Sequence, residues 1–242
     1  MAALYSAVGH GGATGYIALL SSFGLKHEEI ATTALILNTI VASISLFFYA
    51  RAKQYNFKLA VPYLILSMPL AYAGARLPLP KATFATILGL LLLLAALRFI
   101  FFPSQNATRA ENSTTVEEPQ IQPPSTLVAA LIGGVLGLFS GIVGIGGGVF
   151  LSPILIFRRW ASTRQTSAIS ALFIVVNSVS GLVGRLSEGP LQLYQLWPFL
   201  LAAIPAALLG STYGAGKFTS AALQRLLAVV LILAAIKLFV SG

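Results

Sequence analysis

A short stretch, Val8-Gly9-His10-Gly11-Gly12, recurs as Val143-Gly144-Ile145-Gly146-Gly147 and there runs on into Gly148. Downstream of each copy come a short apolar stretch, a polar patch and a long apolar segment. Further on, Pro62, Pro69, Gly74 and Lys81 are matched by Pro198, Pro205, Gly210 and Lys217, each at an offset of 136. The chain repeats itself internally, so its two halves are expected to share one fold.

The solvent of that fold follows from charge. Only 9% of the 242 residues are charged, 57% are apolar, and mean hydropathy is +0.88. Soluble domains carry about 25% charged residues. This chain could not cover its surface in water, so the lipid bilayer is its expected surroundings. There is no cysteine, and the two histidines, His10 and His27, cannot form a multi-histidine site. No metal or cofactor is expected. The net charge of +9 would suit nucleic acid, but the basic residues mostly flank apolar runs and read as loop charge that orients the chain in a membrane. No nucleic-acid partner is expected. The apolar runs contain no nucleophile–base pair and no carboxylate pair, so the chain reads as a non-enzyme without catalytic residues. The start lacks the basic region of a cleavable signal peptide.

A spanning helix needs about 20 apolar residues. The first half offers three such runs, 29–50, 58–77 and 81–102, and the second offers 164–185, 191–213 and 218–240. Each half also has a short apolar segment after its glycines, 13–24 and 149–158, which reaches part-way across. An apolar run at 126–142 precedes the second cluster, whereas only eight residues precede Gly9. The expected fold is an all-α integral membrane protein of two inverted repeats. Each repeat is a Gly-broken re-entrant or short helix pair followed by three long transmembrane helices. Residues 1–102 form the first repeat, 103–125 a polar linker and 126–242 the second repeat.

Charge decides between inverted and parallel halves. With inversion, one side holds Arg51, Lys53, Lys58, Arg98, Arg109, Arg158, Arg159, Arg164, Lys217 and Arg225. The other holds Lys26, Arg76, Lys81, Arg185 and Lys237, giving 10 against 5. Parallel halves would split 8 against 7. The positive-inside rule favours inversion, a cytoplasmic linker and outward termini in a multi-pass protein of the inner (plasma) membrane.

A glycine run leaves backbone N–H groups free and admits close approach. In lipid those groups need a partner, and a bound anion is one. Each short segment begins at its glycines, so the positive end of its dipole points into the protein. Close packing explains glycines equally well where they are spaced along one helix face, as at Gly133, Gly137, Gly141 and Gly144. Three consecutive glycines, Gly146 to Gly148, exceed what packing needs.

The stretches LYSAVGHGGATGYIAL (Leu4 to Leu19), TALILN (Thr33 to Asn38) and GIVGIGGGVFLSPIL (Gly141 to Leu155) resemble the TauE/SafE family of sulfite-exporter-like membrane proteins. The resemblance covers nearly the whole chain apart from the linker. It implies secondary transport of small sulfur-containing anions such as sulfite, sulfonates or sulfoacetate. The first copy departs from the pattern: His10 interrupts its glycines, Ala13 replaces a third glycine, and Ala18 stands where a proline is expected.

The candidate site collects the polar residues at membrane depth. A buried amide in lipid is held by protein, water or substrate, which singles out Asn38 and Asn177. Thr33, Ser167 and Ser170 sit near the starts of their spans, where a hydroxyl donates to an anion or bonds back to its own helix. His10 is the histidine at membrane depth, placed to donate to an anion or to carry a coupled proton. The expected substrate-binding set is His10, Gly11, Gly12, Thr33, Asn38, Gly146, Gly147, Gly148, Ser167, Ser170 and Asn177. Arg76, Arg98 and Arg185 are expected to snorkel to the interface. The leading reading is a secondary transporter of small anions by alternating access around a midplane site. A passive anion channel lined by the same glycines is the alternative. The oligomeric state is left open between monomer and homodimer.

Overall fold

A computed structural model describes residues 1–20, 27–77, 122–186 and 197–241, together with positions 90, 93, 96 and 97. The expected span 81–102 and most of the linker lie outside the described residues. The described regular structure is helical: α1 (Ala2–Ala7), α2 (Ala13–Leu20), α3 (His27–Arg51), α4 (Phe57–Ala75), α5 (Thr126–Val143), α6 (Gly148–Phe157), α7 (Thr163–Leu186), α8 (Trp197–Thr212) and α9 (Ser220–Ser241). A π-helical turn, Tyr213–Lys217, extends α8. Among the described residues, five segments are long and apolar enough to cross a membrane: Glu29–Arg51, Phe57–Ala75, Thr126–Val143, Thr163–Leu186 and Trp197–Lys217.

The expected runs 29–50, 58–77, 164–185 and 218–240 match α3, α4, α7 and α9 to within three residues at either end. The element before the second glycine cluster differs from a half-helix. α5 has 18 residues, about 27 Å at 1.5 Å per residue, and is a full span by length. Ser125 starts it by accepting the Val128 N–H at 3.4 Å, and Gly144, in the left-handed region at φ 78°, stops it.

α3 and α7 run antiparallel at the centre. Leu35 meets Gly181, Asn38 meets Ser178 and Tyr49 lies beside Ser167, so one index falls as the other rises. α7 is the more enclosed of the two, with 67% of its apolar window buried against 50% for α3, and 33% for α4 and for α8. Small side chains on its inner face, Ser170, Ser178 and Gly181, permit that close approach.

The outer helices exchange partners. α5 of the second half packs along α4 of the first, and α1 of the first half packs along α8 of the second. Glycine makes both seams. A side chain at Gly133, Gly137 or Gly141 would run into the carbonyl of Tyr63, Ser67 or Ala71, and one at Gly210 or Gly214 into that of Ala3 or Ala7. These contacts are backbone to backbone and cannot give way by a rotamer change. Gly137→Val is therefore expected to cost more than about 3 kcal/mol, read as a large fall in the melting temperature of detergent-solubilised protein. A change of under about 1 kcal/mol would contradict the seam.

Each first helix is held at its end by the third helix of its own half. Tyr49 on α3 donates to the Ala7 carbonyl at 2.5 Å, and Arg185 on α7 donates to the Gly141 carbonyl at 3.3 Å. Tyr49 and Arg185 stand 136 positions apart (185 minus 49). Terminal helix carbonyls lack intrahelical donors, so both bonds satisfy a deficit. Arg185 thus caps a helix instead of snorkelling. Arg76 is exposed, its guanidinium within 3.2 Å of the Tyr72 hydroxyl one turn earlier.

Candidate functional site

The two glycine stretches interrupt the helices in nearly the same way. Gly9 and Gly144 both have φ 78°, and Gly12 and Gly147 have φ 94° and 76°. The His10 N–H reaches back to the Tyr5 carbonyl at 2.8 Å, as the Ile145 N–H reaches back to that of Ser140 at 3.3 Å. Residues with a Cβ rarely adopt this left-handed region, which explains glycine at these corners. The copies part at the second glycine of each stretch. Gly146 is left-handed at φ 78°, whereas Gly11 is not.

Asn38 ties the breaks together. Its Oδ1 accepts the Ala13 N–H at 3.2 Å, at the start of α2. Its Nδ2 donates to the Ile145 carbonyl at 3.2 Å and to the Ser178 hydroxyl at 3.0 Å. Asn38 is buried. One side chain on α3 therefore bonds both breaks and the central helix of the other half. Gly11 and Gly146 flank it: a Cβ on either would collide with its amide.

His10 makes the second bridge. Its Nδ1 lies 2.9 Å from the Val8 carbonyl, and a carbonyl only accepts, so Nδ1 carries a proton. Its Nε2 lies 3.1 Å from the Ser152 hydroxyl on α6, and Ser152 lies 2.7 Å from the Ser170 hydroxyl on α7. With a neutral ring, Ser152 donates to Nε2 and Ser170 donates to Ser152. With a protonated ring, Nε2 donates and the Ser152 proton turns to the Gly148 carbonyl, 3.1 Å away. His10, Ser152 and Ser170 are all buried.

The glycine run 146–148 lies along one face of α7. A Cβ on Gly146 would come within 2.8 Å of the Ser178 hydroxyl, one on Gly147 within 2.8 Å of the Phe173 ring, and one on Gly148 within 2.9 Å of the Ser170 carbonyl. Gly147 caps α6, so the N–H groups of Gly148 and Val149 open the helix and lack intrahelical acceptors. Asn177 belongs to this face. Its Nδ2 donates to the Phe173 carbonyl at 2.8 Å, and its buried Oδ1 has no hydrogen-bond partner among the described residues.

The structure gathers His10, Gly11, Gly12, Asn38, Gly146, Gly147, Gly148, Ser170 and Asn177 around the two breaks. Ser167 stands behind them: its hydroxyl bonds back to the Thr163 carbonyl at 3.2 Å, and its backbone packs against Gly9. Thr33 is half-buried on α3, and no hydrogen bond among the described residues ties it to either break. Ser152 and Ser178 complete the cluster and were absent from the expected set. The signal for Ser152 is a lone hydroxyl in an apolar helix, one turn after Gly148. The signal for Ser178 is its place beside Asn177 in an apolar run.

Apolar spans, interrupted helices and a buried polar junction define a multi-pass helical membrane protein. Residues 1–238 match the family model described as Sulfite exporter TauE/SafE. A protein of Sinorhizobium fredii named as a probable membrane transporter is 32% identical over 240 residues, covering 98% of this chain and 94% of its own. Another protein so named, from Methanocaldococcus jannaschii, is 28% identical over 158 residues, 64% of this chain and 55% of its own. No solved structure matches. The chain belongs to the TauE/SafE family and is a membrane transporter.

Proposed function

We propose that this protein is a secondary transporter of a small sulfur-containing anion, of the sulfite, sulfonate or sulfoacetate kind. It works by alternating access around the junction of its two glycine breaks. The observation that carries this reading is the pair of hydrogen bonds by which Asn38 accepts from the Ala13 N–H and donates to the Ile145 carbonyl, which makes movement at one break felt at the other. The antiparallel α3 and α7 and the exchanged packing of α1 and α5 support two inverted repeats, the arrangement used to rock one half against the other. The charge count then puts the linker on the cytoplasmic side, with the protein in the inner (plasma) membrane.

The anion is received by the opening N–H groups of α6 and by Gly146 and Gly147, where the helix dipole is positive. His10, Gly11, Gly12, Asn38, Ser170 and Asn177 form the surrounding shell, with Thr33 and Ser167 at its margin. His10 couples a proton to the anion. Its protonation adds a positive charge beside the anion donors and turns the Ser152 hydroxyl, so proton and anion favour each other's binding.

A passive anion channel would need a water path past the same glycines. Each of them packs against a neighbouring side chain or carbonyl, which favours a carrier that must change conformation. In proteoliposomes, labelled sulfite or a sulfonate is expected to show counterflow against unlabelled anion on the other side. Single-channel currents without counterflow would replace the carrier with a pore.

A further inference from the structure

The anion's charge explains why the N–H groups at the head of α6 are buried, but it does not explain Asn177. An amide oxygen is an acceptor and repels an anion. Yet the Asn177 Oδ1 is buried with no hydrogen-bond partner among the described residues, on a side chain whose Nδ2 is held at 2.8 Å by the Phe173 carbonyl. That bond fixes the amide's orientation, because exchanging oxygen and nitrogen would set two acceptors against each other. At about 100° per residue, Asn177 lies roughly 40° from Phe173 and 60° from Ile174 around α7. Both neighbours touch the glycine run, Phe173 at Gly147 and Ile174 at Gly146 and Gly148. The acceptor therefore lies between these two contacts around α7, on the side of the helix that faces the glycine run.

This face pairs donors with an acceptor. The N–H groups of Gly148 and Val149 call for negatively charged oxygen, and the Asn177 Oδ1 calls for a hydrogen. In a bilayer an unmatched buried acceptor costs about 1–3 kcal/mol, so a ligand that fills both roles is favoured over one that fills only the first. We infer that the transported species is a monoanion that carries its own O–H or N–H, held by its anionic oxygens at the head of α6 and by its donor on Asn177. Protonated oxyanions and hydroxyl- or amino-substituted sulfonates fit; an anion without a donor leaves the amide oxygen bare. The inference rests on the anion-transport reading and narrows its substrate class.

Two probes of nearly equal size separate the possibilities: 2-hydroxyethanesulfonate, which has a hydroxyl, and propanesulfonate, which replaces it with a methyl. Binding to the purified full-length protein is measured for both by calorimetry. The hydroxylated anion is expected to bind at least about 10-fold more tightly, since a site made to bond a hydroxyl discriminates strongly against its absence. In Asn177→Leu that ratio is expected to fall to about 1. Equal affinities in the unsubstituted protein overturn the inference and leave anion binding intact, the amide oxygen being served by water. A ratio that survives in Asn177→Leu overturns the assignment to Asn177. Binding of neither probe, nor of sulfite, overturns the anion reading itself.

Discussion

Asn38→Leu is expected to abolish anion transport and to lower stability by about 3 kcal/mol. Leucine keeps the branched four-atom side chain but can neither donate nor accept a hydrogen bond. The substitution strands the Ala13 N–H and the Ile145 carbonyl, both buried groups that Asn38 now satisfies. Each stranded group costs about 1–3 kcal/mol, and a hydroxyl such as Ser178 recovers part of its share by turning to another acceptor. Thr39→Val is the matched control. Thr39 stands next in the chain, is half-buried and, among the described residues, bonds through its hydroxyl only to the Leu35 carbonyl of its own helix at 2.8 Å. Its replacement is expected to change stability by less than about 0.5 kcal/mol. The pair is compared by thermal unfolding in detergent and by uptake into proteoliposomes. Transport by Asn38→Leu at the unsubstituted rate would remove Asn38 as the link between the breaks.

His10→Gln is expected to flatten the pH dependence of anion affinity. In the unsubstituted protein the imidazole faces Ser152 through Nε2 and the Val8 carbonyl through Nδ1. Taking up a proton brings a charge next to the head of α6. If proton and anion bind in a 1:1 coupled pair, apparent affinity improves up to about 10-fold for each unit fall in pH above the imidazole's pKa and levels off below it, the sign expected when the protonated form is the better receiver. Glutamine keeps hydrogen-bonding capacity and removes the titration. Affinity in this variant is expected to vary less than about twofold between pH 5.5 and 8.0. The same slope in both proteins would take the proton away from His10. A smaller companion effect is expected of Ser152→Ala, which keeps the imidazole and breaks the chain to Ser170.

Much of the architecture was legible in the residues. Runs of about 20 apolar residues can be little else than spanning helices, and α3, α4, α7 and α9 fall where those runs lie. The matched glycines mark corners that the structure uses in pairs, Gly9 with Gly144 and Gly12 with Gly147, all left-handed. The site was legible by residue type and less so by partner. A buried asparagine announces itself by its cost, but whether it bonds protein or ligand depends on helices far off in sequence. Asn38 and Asn177 look alike in the chain; one uses its amide on three protein groups, while the other leaves its oxygen without a hydrogen-bond partner among the described residues. Arg185 looked like a lipid-edge residue because its helix ends there. Only the arrival of Gly141 beside it turns it into a cap. Ser167 shows the converse, a hydroxyl near the site that its own helix claims.

The exchange of outer helices has a consequence for how the protein is made. α1 lies against α8, whose first residue is synthesised about 190 residues after α1 ends. α4 likewise waits for α5 across the intervening segment. The ribosome therefore delivers the amino-terminal helix to the membrane long before its seat exists, and that helix must be sheltered by lipid or by the insertion machinery in the meantime. The first half synthesised alone leaves uncovered the faces of α1 and α4 that meet the glycines of α8 and α5, and the second half supplies those covering helices. Biogenesis of this transporter is thus closer to the pairing of two subunits than to the successive stacking of helices.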